Sequence, residues 1–433
     1  METISLTEER KYSVQEIQQA PLKFIEKLIS ESPDEIISYW VNNEKVVLIN
    51  NPAYIKQVLQ TDEEFFVKDG TPEMMMLHPI LGNGLLTTVG EAWKIQRNIA
   101  RQGFTMEKIS KFSEMMVDET LDLMQDWKVG DEKDMEAELS QLTLRIVSKA
   151  LFGDSLNDVA AEFGKSVHTI NHYMGHFDPT DHAGRMQFIY SLNWLKNVVR
   201  QMIQQRLNES QKYDDFLATL LEHHKEGTFS EDNLIDQVFT FLMAGHETTA
   251  KTLTWTLYEL HQNLIIYERL MTEISGEIKH DKTTLNDVSS LRYIWKVLQE
   301  SMRLNPPIWV ISRKSTQNMM VGNMLIPKDT LVILSPYMIH RHTTFWENPD
   351  EFNPERFNNK DTEKRPVYAY LPFSGGPRHC VGKNFASLEV ILVLATLLKA
   401  FKFELKKDFV VEPEALVTLR PKNGMRMILT EKQ

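Results

Sequence analysis

Leu371-Pro372-Phe373-Ser374-Gly375-Gly376-Pro377-Arg378-His379-Cys380-Val381-Gly382 carries the most information in this chain. It holds the sole cysteine, Cys380, at the end of a glycine-rich loop that leads into an apolar helix read over Phe385 to Leu398. A helix N-terminus presents free N–H groups and a partial positive charge, which favour thiolate over thiol. Glycines let the backbone bend so that amides can face the sulfur. Arg378, two residues before the cysteine, suits an anionic group on whatever the sulfur binds. From residue type alone, Cys380 is either a small buried hydrophobe or an activated ligand.

The rest of the chain supplies the frame. It has 433 residues, 42% apolar and 25% charged, which excludes collagenous, low-complexity and largely disordered classes. Gly (18) and Pro (17) are scarce, so long flexible linkers are not expected. The net charge of −12 argues against nucleic acid as the main partner. The first twenty residues are polar and read as no signal peptide, and the apolar run Leu388 to Leu398 is too short to span a bilayer. A soluble, cytoplasmic protein without a transmembrane anchor is expected. One cysteine allows no intramolecular disulfide.

Ile36 to Val41 and Val46 to Ile49 read as a hairpin turning over Asn42–Lys45, and Asn51-Pro52 starts a helix through Leu59. From about 93 to 300 helical periodicity dominates, as in Leu139, Leu142, Ile146, Ala150. Ser230 to Asn233 cap a helix running to about Leu264, roughly 50 Å long. Strand signals are placed at about 35–50 and 305–433, including Thr330 to Leu334. The expected fold is mainly α with a minor β portion, as one large domain over 1–433.

In the middle of the long helix lies Ala244-Gly245-His246-Glu247-Thr248-Thr249. Gly and Thr are poor helix formers. The Thr248 hydroxyl can bond the Ala244 carbonyl and open the helix locally. Ala244 and Gly245 leave room for a ligand, and Glu247 with Thr248 offers a carboxylate and a hydroxyl for a proton relay. His246 reads as structural.

One thiolate without Cys or His at ligand spacing cannot build a zinc or iron–sulfur site, but it suits the axial position of haem. Phe373-x-x-Gly376-x-Arg378-x-Cys380-x-Gly382 resembles the haem-binding signature of the cytochrome P-450 family, complete at its defining positions. Glu247-Thr248, 132 residues before the cysteine, resembles that family's oxygen-activation motif. Glu300-x-x-Arg303 and Pro354-Glu355-Arg356-Phe357 resemble its structural charge network. The resemblance covers about the C-terminal three quarters of the chain.

It implies a single haem domain holding haem b, with Cys380 as proximal ligand and Phe373, Gly382, Ala244 and Gly245 lining the cofactor. Trp93 with Arg97, Arg313 and Arg378 are the implied propionate contacts, and Thr248 and Glu247 deliver protons for O–O cleavage. Glu300, Arg303 and Arg356 form a buried network. Substrate walls are placed at Met76, Phe239, Met243, Ile308 and Trp309. The implied activity is O2-dependent monooxygenation of an apolar, medium-sized molecule (fatty acyl, terpenoid or polyketide-like), consistent with secondary metabolism. Electrons come from a separate ferredoxin or flavodoxin and its reductase, docking near Lys383, Lys94 and Arg101. Alternatives are an oxidative-coupling, isomerase or dehydratase enzyme, or a haem-based ligand sensor.

Overall fold

Alternating apolar residues pair Ile36–Val41 with Glu44–Ile49 as an antiparallel hairpin, Ile36 opposite Ile49 and Val41 opposite Glu44. The turn is tighter than the sequence suggests. Asn42, at φ 53, takes the left-handed conformation that Asn tolerates, so Glu44 and Lys45 join the strand. Lys11–Tyr12 adds to Ile36–Val41. Leu331–Leu334, Ile311–Ser315 and Phe66–Val67 extend the other edge, giving six strands.

The computed structural model describes residues 10–32, 35–153, 156, 159–178, 180–209, 211 and 213–431, so both ends of the 1–433 span lie outside the described residues. These residues group into two compact units, each built from separated stretches of chain. The first takes residues from 10–76, 308–351 and 360–380 and contains the six-stranded sheet. Its core joins Val47, Ile49, Ile55, Val332 and Leu334, with a second layer of Ile25, Leu28, Ile37 and Leu48. Asn51 caps helix Pro52–Lys56 by accepting from the Ala53 and Tyr54 amides. The next turn, Gln57–Thr61, widens to a π-helix where the sequence suggested plain α.

The second unit, from 77–307, 352–359 and 381–431, is mostly helical. Its longest helix, Glu231–Gln262, starts where Ser230 accepts from the Asn233 amide. It stops at Asn263, a residue or two earlier than the sequence suggests. Helix Met135–Phe152 packs beside it and buries Leu139, Leu142, Ile146 and Ala150. Strands Lys402–Leu405, Arg426–Thr430 and Glu132–Asp134 form a three-stranded sheet, and Pro413–Ala415 pairs with Leu419–Pro421. Lys11–Tyr12, Phe66–Val67 and Glu132–Asp134 fall outside the expected β regions. All three are very short, and Glu132-Lys133-Asp134 is charged throughout, so no apolar alternation marks it. Among the described residues, no helix is long and apolar enough to cross a membrane. The fold is mainly α with a minor β portion.

Candidate active site

The cysteine loop belongs to the first unit and is folded by its own backbone. The Ser374 amide donates to the Leu371 carbonyl (3.2 Å), that of His379 to Gly376 (3.1 Å) and that of Cys380 to Phe373 (2.9 Å). Ser374 and Gly376 both take left-handed φ, 60° and 67°. At Gly376 only hydrogen fits, because a Cβ would lie 1.7 Å from the Leu59 carbonyl oxygen in the π-helical turn. This seating leaves Cys380 exposed. Helix Lys383–Ala400 begins three residues later, with Gly382 at its N-cap, two residues before the expected start.

Cations gather in the same unit. Arg313 is buried on strand Ile311–Ser315, with a guanidinium N–H donating to the Ser312 carbonyl at 2.7 Å. Burial pulls its pKa down to about 10, opposed by Glu73 and Glu63. Burial, then Arg313, then Arg378 pull Lys68 down to about 7, opposed only by Glu73. Glu73, whose carboxylate meets the Ser312 hydroxyl, is itself pushed up by burial. Three basic side chains that repel one another form a cradle that a pair of carboxylates would relieve, which fits the two propionates of haem. The sequence reading missed Lys68; no local pattern distinguishes it from a surface lysine.

A titration follows. Lys68 is a weaker base folded than unfolded, so between about pH 7 and its ordinary 10.5 the unfolded chain holds the extra proton, and this group's contribution to stability rises with pH. At pH 8 the Lys68 amine of haem-free protein should acylate readily, and haem loading should protect it by restoring its charge. Equal labelling of both forms would contradict the cradle.

In the second unit Trp93 and Arg97 stand one turn apart on helix Gly90–Gly103, Trp93 half-buried and Arg97 buried. Lys94 pairs with Glu91 at 3.2 Å, while Arg101 and Lys383 are exposed.

On the long helix Thr248 donates to the Ala244 carbonyl at 3.0 Å. The helix nevertheless continues unbroken, so the expected local opening is absent: the back-bond coexists with the backbone ladder. Ala244 is exposed and Thr248 partly so, one turn apart in a helix otherwise largely buried. That bare stretch fits a flat ligand. Gly245, partly exposed, also has a packing role. A Cβ there would meet Val147 Cγ2 at 2.6 Å, so its missing side chain lets helix Met135–Phe152 approach. Glu247 is buried, accepting on Oε1 from Asn171 Nδ2 (2.8 Å) and from the Thr418 hydroxyl (2.7 Å). His246 is buried with Nδ1 on the Leu242 carbonyl at 2.8 Å, and burial lowers its proton affinity.

The suggested substrate walls divide. Phe239 has no exposed surface and sits in the helical core, so it lines nothing in this conformation. Trp309 packs on the sheet layer around Ile37 and Leu48, and its carbonyl accepts from Ser335 at 2.9 Å. Ile308 is exposed, while Met76 and Met243 are half-buried.

Glu300, Arg303 and Arg356 come together in the second unit. Arg303 clasps Glu300 with Nε (2.6 Å) and Nη2 (2.8 Å), and Arg356 Nε (3.2 Å) and the Asn353 amide (2.8 Å) share Oε1. Glu300 and Arg303 have no exposed surface.

A family model described as "Cytochrome P450" matches residues 12–427. Cytochrome P450 709B1 of Arabidopsis thaliana is 30% identical over 425 residues, covering 91% of this chain and 81% of the relative. Cyclooctatin synthase of Streptomyces melanosporofaciens is 29% identical over 390 residues, covering 87% and 84%. A crystal structure of the cytochrome P450DA heme domain shares the fold at TM-score 0.86 and 23% identity, covering 96% of this chain and 94% of that one. The chain belongs to the cytochrome P450 family of monooxygenases, a class of oxidoreductases.

Proposed function

We propose that this chain is a haem b monooxygenase that oxidises an apolar, medium-sized substrate with O2, acting in the cytoplasm as one haem domain over 1–433. The observation that carries this reading is the partly exposed Thr248 hydroxyl on the residue that follows the buried, hydrogen-bonded Glu247, in a chain whose sole thiol is exposed. Haem, when bound, supplies the oxygen activation and substrate oxidation. Cys380 is the residue to ligate its iron, and Phe373 and Gly382 frame that ligand. Arg313, Arg378 and Lys68, with Trp93 and Arg97, are the groups to hold its carboxylates. Ala244 leaves the helix surface bare where the cofactor's face would rest.

Thr248 Oγ1 can turn from the Ala244 carbonyl to pass a proton, and Glu247 can resupply it. Glu300, Arg303 and Arg356 hold the fold. Met76, Met243, Ile308 and the partly buried Trp309 are the proposed substrate contacts. Electrons are assigned to a separate ferredoxin or flavodoxin with its reductase, the kind of redox partner that membership of the cytochrome P450 family calls for. The name of the relative cyclooctatin synthase supports a biosynthetic, secondary-metabolic role.

Holoenzyme supplied with NADPH, such a reductase and its carrier should turn over apolar compounds that shift its ferric spectrum, and shifts with small polar ligands alone would oppose the substrate class. Thr248→Ala should keep NADPH consumption while product per NADPH falls several-fold; unchanged coupling would remove Thr248 from the relay.

A further inference from the structure

We propose that Asn171 and Thr418 are positioning residues that hold the Glu247 carboxylate for proton delivery; this rests on the relay role given to Glu247 above. The two donors come from elements remote in sequence. Asn171 sits on helix Ala160–Gly175, and Thr418 in the turn between Pro413–Ala415 and Leu419–Pro421. Both bonds fall on the same oxygen, Oε1, at 2.8 and 2.7 Å. One oxygen is thereby fixed, and among the described residues Oε2 carries no hydrogen bond and remains to exchange a proton.

All three residues are buried, where a polar side chain without a partner is costly, so the cluster is a specific construction. The neighbouring hydroxyls are committed elsewhere. Thr248 bonds the Ala244 carbonyl, Thr249 the Gly245 carbonyl and Thr143 the His246 carbonyl. His246 points Nδ1 at Leu242, and burial keeps its ring neutral, so it puts no positive charge beside the carboxylate. Glu247 is therefore held by neutral donors.

The scaffold behind the donors is tied to the helix that carries Glu247. Trp255 of the long helix donates to the Leu419 carbonyl at 3.1 Å, and the Leu419 amide donates to Pro307 at 2.9 Å, which pins the Thr418 turn against the helix that carries Glu247. Phe163 packs edge-on to His246 at 5.8 Å, seating the Asn171 helix on that same helix. Donors on rigid elements fix a proton donor more precisely than a mobile loop could.

The test compares Thr418→Val, Thr418→Ser, Asn171→Ala and Glu247→Gln as haem-loaded holoenzymes. The first readout is infrared difference spectroscopy on resting protein, with the Glu247 band assigned by its loss in Glu247→Gln. The others are product per NADPH and the solvent isotope effect during turnover. Thr418→Val and Asn171→Ala should shift the Glu247 band. They should slow the proton-dependent step by about tenfold, part of the ~10²–10⁴-fold that a placed acid–base group contributes, with substrate affinity unchanged. Thr418→Ser, which keeps the donor, should restore both, and a variant added to Glu247→Gln should cost nothing further.

If Glu247→Gln uncouples while Thr418→Val and Asn171→Ala leave the band, coupling and isotope effect unchanged, the positioning role is wrong. If Glu247→Gln itself leaves coupling unchanged, the relay reading fails instead.

Discussion

Glu300→Ala should cost the folded protein about 3–5 kcal/mol, the range for breaking a buried ion pair from one side. Against a typical total of about 5–15 kcal/mol, that is enough to deplete folded, haem-loaded protein at 37 °C. Four donors converge on this carboxylate: two from Arg303, one from Arg356 and the Asn353 amide. Removing it leaves two guanidinium groups in a site with almost no water, where their solvation cost is no longer offset. Glu300→Gln keeps an acceptor oxygen and should lose less. Denaturant melts of the three proteins measure the order, and Glu300→Ala within 1 kcal/mol of wild type would refute the network's structural role.

Gly376→Ala should be the most damaging single-methyl substitution in the cysteine loop. Two costs add: left-handed backbone for a residue with a Cβ, about 1–2 kcal/mol, and a collision with the Leu59 carbonyl, with overpacking typically about 1–3 kcal/mol. Backbone cannot swing aside, so relief must come from shifting the loop and with it Cys380. Gly375→Ala is the control. Its Cβ would meet the Tyr368 ring at 2.5 Å, and a ring edge can move. Haem content and thermal midpoints should fall much further for Gly376→Ala than for Gly375→Ala; the reverse order would mean that the contact with Leu59 does not set the loop.

What the sequence made legible was what lies close along the chain. The cysteine loop, the Ser230 cap and the Glu300–Arg303 spacing are each encoded within a few residues, and Arg356 was recoverable because its own tetrapeptide carries a signature. Contacts across long separations left no local trace. Asn171 and Thr418 stand 76 and 171 residues from the Glu247 they hold, and Leu59 is more than three hundred residues before the Gly376 it constrains. Lys68 is a lysine like any other until Arg313 and Arg378 are folded around it.

One expectation fails for a physical reason. A helix apolar on several faces does not say which face meets a ligand, and Phe239, expected at a wall, fills the core. A mid-helix glycine likewise leaves open what comes close, and at Gly245 one neighbour is Val147.

The central claim is that the thiolate of Cys380 ligates haem iron. The spectrum of the reduced carbon-monoxide complex tests it most directly, since sulfur and imidazole ligands place the Soret band differently. Freshly reduced wild type should show the long-wavelength thiolate band, and Cys380→Ser should lose it. A wild-type band at the imidazole position, or a thiolate band that survives in Cys380→Ser, would contradict the assignment.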